Sequence, residues 1–322
     1  MSKMFDIITV GSATIDCFAT TENKYVKKHR FCYPEGSKIL LKKLIFNTGG
    51  GGTNTAVSLA RLGFKTAFIG KFGSKHNATL ILDQLKKECV YSLVKCDKND
   101  RTAFSIILNA EHADRAILLF KGSSDKLKYK EIPKNKLKTR YFYFASMDGQ
   151  SFRTMKKLAN FAETKKIPIC FNPSSYMIKK ENILPVVKKS KILILNYNEA
   201  KLLTKKNRIE EQLKVLKNLG PELVVITEGK KGASCYNGKN KYVLKITKES
   251  NVVETTGAGD AFASGFFAGV IKRKDIPFAL KLGLANASSI LKHYGAKEKL
   301  LSWKKALKII NKLPCKIIIK KL

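Results

Sequence analysis

Residues 50–73 read GGGTNTAVSLARLGFKTAFIGKFG, and they contain one complete unit of the pattern on which the fold is built. The glycines are followed by an apolar stretch that predicts a helix over Asn54–Leu62, and TAFI predicts a short buried strand over Thr66–Ile69. Helices that alternate with short β-branched strands are typical of a parallel sheet covered on both faces. The stretch therefore predicts an α/β protein with a mostly parallel central sheet.

The same alternation continues along the chain and predicts a single domain over residues 1–322. Further strands are predicted at Phe5–Val10, Tyr141–Ala145, Ile167–Phe171, Ile192–Leu195 and Leu223–Thr227. Further helices are predicted at Asn77–Glu88, Gln150–Lys165, Asn182–Lys188, Tyr197–Thr204, Ile209–Leu219, Ala258–Ile271, Pro277–Lys292 and Trp303–Asn311. The tail, Cys315–Leu322, predicts a last strand to which the sequence assigns no partner.

Two inserted segments, about 16–46 and 102–121, break this pattern. Apolar and polar residues alternate in both without a helical period, which predicts antiparallel strands. Ligands of open α/β folds bind at the edge formed by the carboxyl ends of the strands. We therefore expect the two segments to form a small sheet that acts as a lid over a cleft at that edge.

The charge of the chain is unusual, because 322 residues carry 62 lysines and arginines against 25 acidic residues, a formal net charge of +37. Only eight of the basic residues are arginines, and the lysines are scattered in pairs. Nucleic-acid-binding proteins concentrate such residues on one face and often use arginine, so no specific nucleic-acid partner is predicted. We expect attraction of anionic nucleotides and salt-sensitive, nonspecific binding to polyanions.

The cysteines and the N-terminus predict a cytoplasmic protein without a membrane span. The seven cysteines are an odd number without a Cys-x-x-Cys pair, the N-terminal residues lack a signal-peptide pattern, and no run of about 18 apolar residues occurs. The four histidines are isolated in polar surroundings. None of them is predicted to bind a metal or to serve a catalytic triad.

Four consecutive glycines, Gly49–Gly52, precede the first predicted helix. Glycines allow close approach of the backbone to a ligand, and a helix N-terminus favours an anionic or polar group, although a tight turn is the alternative. No frame gives the dinucleotide fingerprint G-x-G-x-x-G, and the chain contains no P-loop. The run thus predicts a polar ligand other than a dinucleotide.

A second glycine-containing turn lies at residues 254–260 (ETTGAGD) and opens the helix predicted from Ala258. Backbone amides at such a turn can form an anion hole, and Asp260 places a carboxylate beside it. This pairing suits phosphoryl transfer, with the carboxylate accepting a proton from the attacking hydroxyl. A helix start capped by an acidic residue is the structural alternative.

The motifs together resemble the ribokinase-like, or PfkB, carbohydrate kinase family. Residues 50–73 match its first signature in residue types and spacing, and Thr255–Phe266 (TTGAGDAFASGF) resembles the second. Between them, Asn196-Tyr197-Asn198-Glu199 is similar to the family's N-x-x-E motif, and Thr227–Gly232 (TEGKKG) to its T-x-G-x-x-G segment. Four motifs in order span nearly the whole chain.

This resemblance implies a three-layer α/β/α fold and an ATP-dependent phosphotransferase, a carbohydrate kinase that moves the γ-phosphoryl group to a hydroxyl of a sugar or sugar-containing small molecule. Asp260 would be the base, with the amides of Gly257, Ala258 and Gly259 as anion hole. The other implied roles are acceptor binding by Asp16, Gly50, Gly51, Gly52 and Asn54, nucleotide binding by Thr227, Gly229, Gly232 and Asn286, and magnesium binding through water by Asn196 and Glu199.

Two residues depart from the family's monovalent-cation site. Glu254 stands where an aspartate is usual, and Lys299 where a small hydroxyl residue is usual. We hypothesise that the ammonium of Lys299 replaces potassium, so that activity does not need the ion.

Alternatives to a sugar kinase stay open at this point. A nucleoside (adenosine-like) kinase of the same family would need a larger, partly aromatic acceptor pocket, for which Phe104, Phe120 and Phe144 are candidates. A non-catalytic sugar- or nucleic-acid-binding protein is the alternative from another class, although the intact Gly-Ala-Gly-Asp sequence argues against it. The exposed strand edges of a lid would also allow a homodimer through the lid.

Overall fold

The structure is a computed structural model that describes residues 4–74, 76–110, 115–248, 255–291 and 293–322. The strands in these residues are β1 (Phe5–Val10), β2 (Thr14–Thr21), β3 (Val26–Lys27), β4 (Arg30–Phe31), β5 (Lys43–Gly49), β6 (Thr66–Ile69), β7 (Gly73–Ser74), β8 (Tyr91–Ser92), β9 (Asp97–Arg101), β10 (Ala103–Ala110), β11 (Ala116–Phe120), β12 (Thr139–Phe144), β13 (Ile169–Phe171), β14 (Ile192–Asn196), β15 (Leu223–Thr227), β16 (Gly232–Tyr236), β17 (Asn240–Ile246) and β18 (Cys315–Lys321).

The α-helices of the described residues are α1 (Gly51–Arg61), α2 (His76–Lys87), α3 (Gly149–Thr164), α4 (Ser175–Lys180), α5 (Leu184–Val187), α6 (Tyr197–Thr204), α7 (Ile209–Asn218), α8 (Ala258–Arg273), α9 (Ile276–Ile290) and α10 (Trp303–Ile310). Each strand and helix predicted from the sequence is present, with ends displaced by at most three residues. The sequence analysis missed β7, β8, β9, β16, β17 and α4.

Ten strands form the central sheet, in the order β18-β17-β16-β15-β14-β13-β12-β1-β6-β8. The strands from β15 to β8 are parallel, whereas β16, β17 and β18 add to one side in antiparallel fashion. The tail strand β18 therefore pairs with β17, which the sequence alone had not identified because that strand was itself missed.

Helices cover both faces of this sheet and produce the predicted three layers. Successive side chains of a strand point to opposite faces. In β14, Leu193 and Leu195 accordingly lie in the core under α3 and α7, while Ile192 and Ile194 lie in the core under α1, α8 and α9. The near-continuous apolar run of such a strand is the consequence of burial on both faces.

A second, four-stranded sheet forms the lid, in the order β11-β10-β2-β5. The pairs β2–β5 and β10–β11 are antiparallel, as predicted, but β10 runs parallel to β2. Alternating polarity determines which face a side chain takes and carries no information on the direction of the neighbouring strand. The prediction of antiparallel pairing was therefore wrong at the junction between the two segments.

The lid rises from the edge of the central sheet at which the parallel strands end. Strand β1 ends at Val10 and continues into β2 within four residues, while β14 and β15 end at Asn196 and Thr227 on the same edge. Several predicted site residues thereby meet at one place. No helix in the described part of the chain is both long and apolar enough to span a bilayer.

Candidate active site

The glycine run connects the lid to the core, since β5 ends at Gly49 and α1 begins at Gly51. Gly50 has a φ of +95°, and a Cβ atom there would lie 2.6 Å from the carbonyl oxygen of Ser12. Added Cβ atoms at Gly49 and Gly51 would lie 1.8 Å from Oδ2 of Asp16 and 3.4 Å from Oδ1 of Asp260, respectively. The run must therefore be glycine-rich because two carboxylates and a neighbouring loop approach it closely.

Asp16 lies on β2 in the lid sheet, opposite Ser105 on β10 and Asn47 on β5. Its side chain is buried, and Oδ1 accepts a hydrogen bond of 2.9 Å from the hydroxyl of Thr14. Burial raises the pKa of Asp16, while hydrogen bonds from Ser105 and Thr14 and the charge of Lys297 lower it. The lid thus supplies one of the carboxylates of the site.

Asp260 and Asn54 bring the starts of α8 and α1 together, although they lie 206 residues apart in sequence. Nδ2 of Asn54 donates a hydrogen bond of 2.8 Å to Oδ2 of Asp260. The side-chain oxygen Oδ1 of Asn54 is buried and has no hydrogen-bond partner within the described part of the chain. Since buried polar atoms are normally paired, this orphaned acceptor indicates a place for a donor such as a hydroxyl group.

Burial dominates the electrostatics of Asp260 and raises the pKa of its carboxyl. The hydrogen bond from Asn54 and the charge of Lys297 lower this pKa, whereas the charge of Asp16 raises it further. A carboxylate with a raised pKa is a better proton acceptor than an ordinary aspartate. The arrangement can thus remove a proton from a hydroxyl bound at Asn54.

The turn before α8 has the geometry of an anion-binding helix start. Gly257 has a φ of +80°, and a Cβ atom there would lie 2.3 Å from Cβ of Ala296. The space beside Gly259 is open, while the amide of Ala258 donates a hydrogen bond of 3.1 Å to the carbonyl oxygen of Thr255. Of the three predicted amides, that of Ala258 is therefore already bonded within the turn.

A cavity of about 470 Å³ lies beside this turn. Its walls include Thr227, Gly229 and Gly232, the residues for which nucleotide binding was predicted, together with Phe262, Leu284, Ala258 and Gly259. Lys230 and Lys248 also line it and add positive charge for phosphates. The lining thus combines apolar side chains, which suit a planar base, with the start of α8.

Asn286 is not among the residues that line this cavity, so the structure does not support its predicted role in nucleotide binding. It is completely buried, and Nδ2 donates to Oγ of Ser58 and to the carbonyl oxygen of Ala261 at 2.9 and 2.8 Å. Oδ1 accepts from the amide of Leu301 at 3.1 Å. The side chain connects helices in the core, a role that sequence position cannot distinguish from ligand binding.

Asn196 and Glu199 form a capping box at the start of α6. Oδ1 of Asn196 accepts from the amide of Glu199 at 2.9 Å, and Oε2 of Glu199 accepts from the amide of Asn196 at 2.8 Å. Oε1 of Glu199 accepts from the amide of Ser175 at 3.1 Å. Burial raises the pKa of Glu199, and the charge of Asp260 adds to this rise.

This arrangement fits magnesium held through water better than direct coordination by protein. Both carboxylate oxygens of Glu199 are engaged by backbone amides, while Asn196 is exposed at the strand end. Among the residues with described positions, no three acidic, histidine or cysteine side chains are grouped so that they could enclose a metal ion. Magnesium commonly retains several water ligands, which the single carboxylate would contact.

The loop between α9 and α10 contains a site residue that the sequence analysis missed. Lys297 is 6% exposed, and its charge acts on both carboxylates of the site. Lys299, the predicted substitute for potassium, is instead exposed, so it does not supply a buried ammonium. Glu254 lies outside the described residues. Because the chain is rich in lysine, nothing in the sequence distinguished Lys297 from the exposed lysines.

The three phenylalanines considered for an aromatic acceptor pocket do not form one. Phe144 is fully buried in the core of the central sheet. Phe104 and Phe120 are paired on the lid face that carries Ile15, whereas Asp16 points to the opposite face. The sequence predicted strands at these residues but did not show whether their rings face the acceptor site.

Comparison with known proteins identifies the family at this point. The model of the pfkB family of carbohydrate kinases matches residues 4–303. The chain belongs to this family. The match extends from β1 to the start of α10 and includes the glycine run, the capping box and the turn before α8. The PfkB signatures therefore coincide with the residues that the fold brings together.

Curated relatives of this PfkB protein include kinases for different acceptors. A cytidine kinase from Thermococcus kodakarensis is 25% identical over 296 residues, covering 91% of this chain and 98% of that protein. A ribokinase from Bacillus subtilis is 29% identical over 299 residues, covering 91% of this chain and 95% of that protein.

Solved structures with the same PfkB fold span comparable acceptor classes. An adenosine kinase from Sinorhizobium meliloti has a TM-score of 0.83 and 20% identity, with 95% of this chain and 99% of that chain covered. A ribokinase from Arabidopsis thaliana, complexed with ribose and ATP, has a TM-score of 0.80 and 22% identity, covering 96% and 99% of the two chains. These similarities establish the ribokinase-like fold.

Proposed function

We propose that the protein is an ATP-dependent kinase that phosphorylates a hydroxyl group of a sugar or of a sugar-containing small molecule. The observation that carries this proposal is the pair formed by Asp260 and Asn54, in which a partly buried carboxylate lies beside the buried side-chain oxygen Oδ1 of Asn54, which has no hydrogen-bond partner among the described residues. A hydroxyl bound between them donates to Asn54 and faces the carboxylate that takes its proton.

The remaining site residues support in-line transfer of the phosphoryl group. Asp16 and the backbone of Gly50–Gly52 hold other hydroxyls of the acceptor, while the cavity lined by Thr227, Gly229 and Gly232 holds ATP. The start of α8 stabilises negative charge that develops on the transferred group. The magnesium ion that accompanies ATP neutralises phosphate charge and reaches Asn196 and Glu199 through water.

The lid completes the site, because β2 carries Asp16 over the glycine run. A lid that closes on the acceptor excludes water, so that the phosphoryl group passes to the acceptor and not to water. Arg115, next to β11, donates a hydrogen bond to Oγ1 of Thr255 in the turn before α8. This contact joins the lid to the nucleotide side of the cleft.

The decisive experiment combines an acceptor screen with a conservative change of the base. Sugars, sugar phosphates and nucleosides are offered with ATP and magnesium, with and without potassium, to the wild type and to Asp260→Asn. We expect phosphorylation by the wild type and a decrease in kcat of roughly 10²–10⁴-fold in the variant, since this is what a positioned base contributes. ATP affinity should be unchanged.

The outcomes separate the candidate functions. Turnover of nucleosides but not of simple sugars would favour the nucleoside kinase, the alternative within the family. Failure of the wild type to phosphorylate any acceptor class would reject the kinase in favour of a binding protein, and unaltered turnover by Asp260→Asn would reject Asp260 as the base.

We also propose that two copies of the chain associate through the outer face of the lid. This outer lid face is defined by five partly exposed large apolar side chains that share one side of the sheet: Leu44, Phe46, Ile106, Leu118 and Phe120. Strands β5 and β11 are the edges of this sheet, and unpaired edges invite pairing with another chain. A second copy offers the same apolar face, so the contact is self-complementary.

A reducing, cytoplasmic location is part of the same proposal. Cys17, Cys170 and Cys235 are buried as free thiols, which suits a compartment in which thiols stay reduced. Burial raises the pKa of all three, so they are poor nucleophiles at neutral pH.

A further inference from the structure

Lys297 is held in the interior by a contact to the segment that leads into the glycine run. Its Nζ atom donates a hydrogen bond of 2.7 Å to the carbonyl oxygen of Thr48, two residues before Gly50. The residue is only 6% exposed, and lysines are almost never buried to this degree unless they are paired. The ammonium therefore has a specific place beside the acceptor site.

The backbone of the same loop is fixed to α1, the helix that carries Asn54. Nη1 of Arg61 donates to the carbonyl oxygens of Lys297 and Leu300 at 2.8 and 3.4 Å. The guanidinium is itself held by Glu88, through contacts of 2.9 Å from Nε and 2.5 Å from Nη2. Ala296 packs against the turn at Gly257. The loop is thus anchored to both helices that form the site.

The charged groups around Lys297 come from four elements. Three negative charges favour the charged form of Lys297: Asp16 on β2, Asp260 on α8 and Glu88 after α2. The positive charge of Arg61 on α1 opposes it. Burial outweighs these effects and lowers the pKa of Lys297 to about 7. In return, the charge of Lys297 lowers the pKa of both Asp16 and Asp260, whose mutual repulsion raises that of Asp260.

We propose that Lys297 is a positioning residue of the kinase site, whose buried ammonium keeps Asp16 and Asp260 ionised side by side. The inference rests on the proposed function and adds a role for a residue outside the family signatures found in the sequence. Without this charge, one of the two carboxylates takes up a proton at a higher pH. Because Asp260 is the proton acceptor, activity is then lost earlier as the pH falls.

The first test is the pH profile of kcat/KM for Lys297→Met, which keeps the length of the side chain and removes the charge. We expect its acid limb to move up by about one pH unit or more, since each unit corresponds to a tenfold shift of the carboxyl equilibrium. Lys304→Met, on the exposed face of α10, is the matched control and should follow the wild-type profile. An unchanged acid limb in Lys297→Met overturns the proposal.

Chemical rescue separates loss of charge from loss of packing. In Lys297→Ala, propylammonium added to the assay should restore a substantial part of the activity, whereas neutral propanol should not. Equal rescue by the neutral compound would show that the side chain only fills space and would overturn the proposal.

A readout that needs no acceptor distinguishes this proposal from the kinase assignment. Because the pKa of Lys297 is about 7 in the folded protein and about 10.5 when unfolded, the unfolded state binds more protons between these values. Lys297 should therefore make the free energy of unfolding of the wild type increase as the pH rises from 7 to 10.5. This contribution should be absent in Lys297→Met. Identical pH dependence in the two proteins would refute the buried ammonium even if kinase activity is found.

If neither variant folds, NMR of the wild type with ¹³C-labelled lysine decides the question. A lysine Cε resonance that titrates near pH 7 is expected, and its absence overturns the proposal. If the wild type phosphorylates no acceptor, the proposed function fails, while the unfolding and NMR measurements still test the placement of Lys297.

Discussion

Asn54 illustrates how one side chain connects binding and catalysis at the residue scale. It is the fourth residue of α1 and is 5% exposed, so it lies in the first turn of a helix that starts beside the acceptor site. Nδ2 of its amide donates a hydrogen bond to the carboxylate of Asp260, while Oδ1 is an acceptor without a partner among the described residues. The amide thus fixes the base and offers a hydrogen bond to the hydroxyl on which the base acts.

Asn54→Ala should lower kcat/KM for the acceptor by roughly 10–10²-fold, since a hydrogen bond to a charged group and one to the substrate are lost together. Steady-state kinetics at several pH values measure this change, and the KM for ATP should stay the same. Loss of the hydrogen bond to Asp260 should also raise the pKa of the base, so the variant should lose activity at a higher pH than the wild type. Asn160→Ala, on the exposed side of α3, serves as control; an equal loss in both variants would contradict the role of Asn54.

At the scale of elements, the site depends on how α1, α8 and α9 are joined behind it. Asn286 on α9 donates to Ser58 on α1 and to the backbone of α8. Its side-chain oxygen Oδ1 accepts a hydrogen bond from the amide of Leu301, just before α10. Ser264 on α8 also donates to Ser58, at 2.7 Å. Gly265 and Gly269 let α9 approach α8 closely, because added Cβ atoms would lie 2.9 and 2.5 Å from atoms of α9. The position of Asp260 relative to Asn54 follows from this packing.

Asn286→Ala should lower the free energy of unfolding by about 2–4 kcal/mol, because several buried polar groups lose their partners and a small cavity is left. Urea unfolding measures the loss. ATP affinity of the folded variant should be unaltered, since Asn286 does not line the nucleotide cavity. Ser289→Ala, whose hydroxyl bonds only within α9, is the matched control. A large loss of ATP affinity without a loss of stability would restore Asn286 to the nucleotide site.

For the whole molecule, the excess of positive charge and the apolar outer lid face have different consequences. The net charge of +37 acts at long range on anionic ligands and opposes close approach of two copies. The outer lid face acts only at contact, through the burial of apolar surface. Association of two copies should therefore strengthen as salt screens the repulsion, the opposite of the salt dependence expected for polyanions.

Sedimentation equilibrium should detect a dimer whose dissociation constant decreases when salt is raised. Leu118→Lys combined with Phe46→Lys should shift the protein to monomers, because charge is placed on both edge strands of the apolar face. Leu184→Lys, a similarly exposed apolar position on α5, should leave the association unchanged. A wild type that stays monomeric at all concentrations, or a lid variant that still dimerises, would contradict the proposed contact.

The sequence by itself determined the architecture, because local periodicity and burial on both faces restrict what each segment can form. The apolar runs of β1, β6 and β15 and the amphipathic α6 were located to the residue. Glycine and charged residues at helix starts also identified the two turns of the site, since backbone geometry there requires particular residue types. Hence Asp16, Asn54 and Asp260 could be named before their distances were known.

Tertiary structure alone decided which of these residues have free groups and which are used in packing. Asn54 and Asn286 are both asparagines on helices, yet Oδ1 of Asn54 is buried without a hydrogen-bond partner among the described residues, whereas the side chain of Asn286 is fully hydrogen-bonded in the core. Lys297 and Lys299 are two residues apart, yet one is buried beside two carboxylates and the other is exposed. The physical reason is that burial and hydrogen bonding depend on segments distant in sequence, such as Thr48 for Lys297 and Ser58 for Asn286.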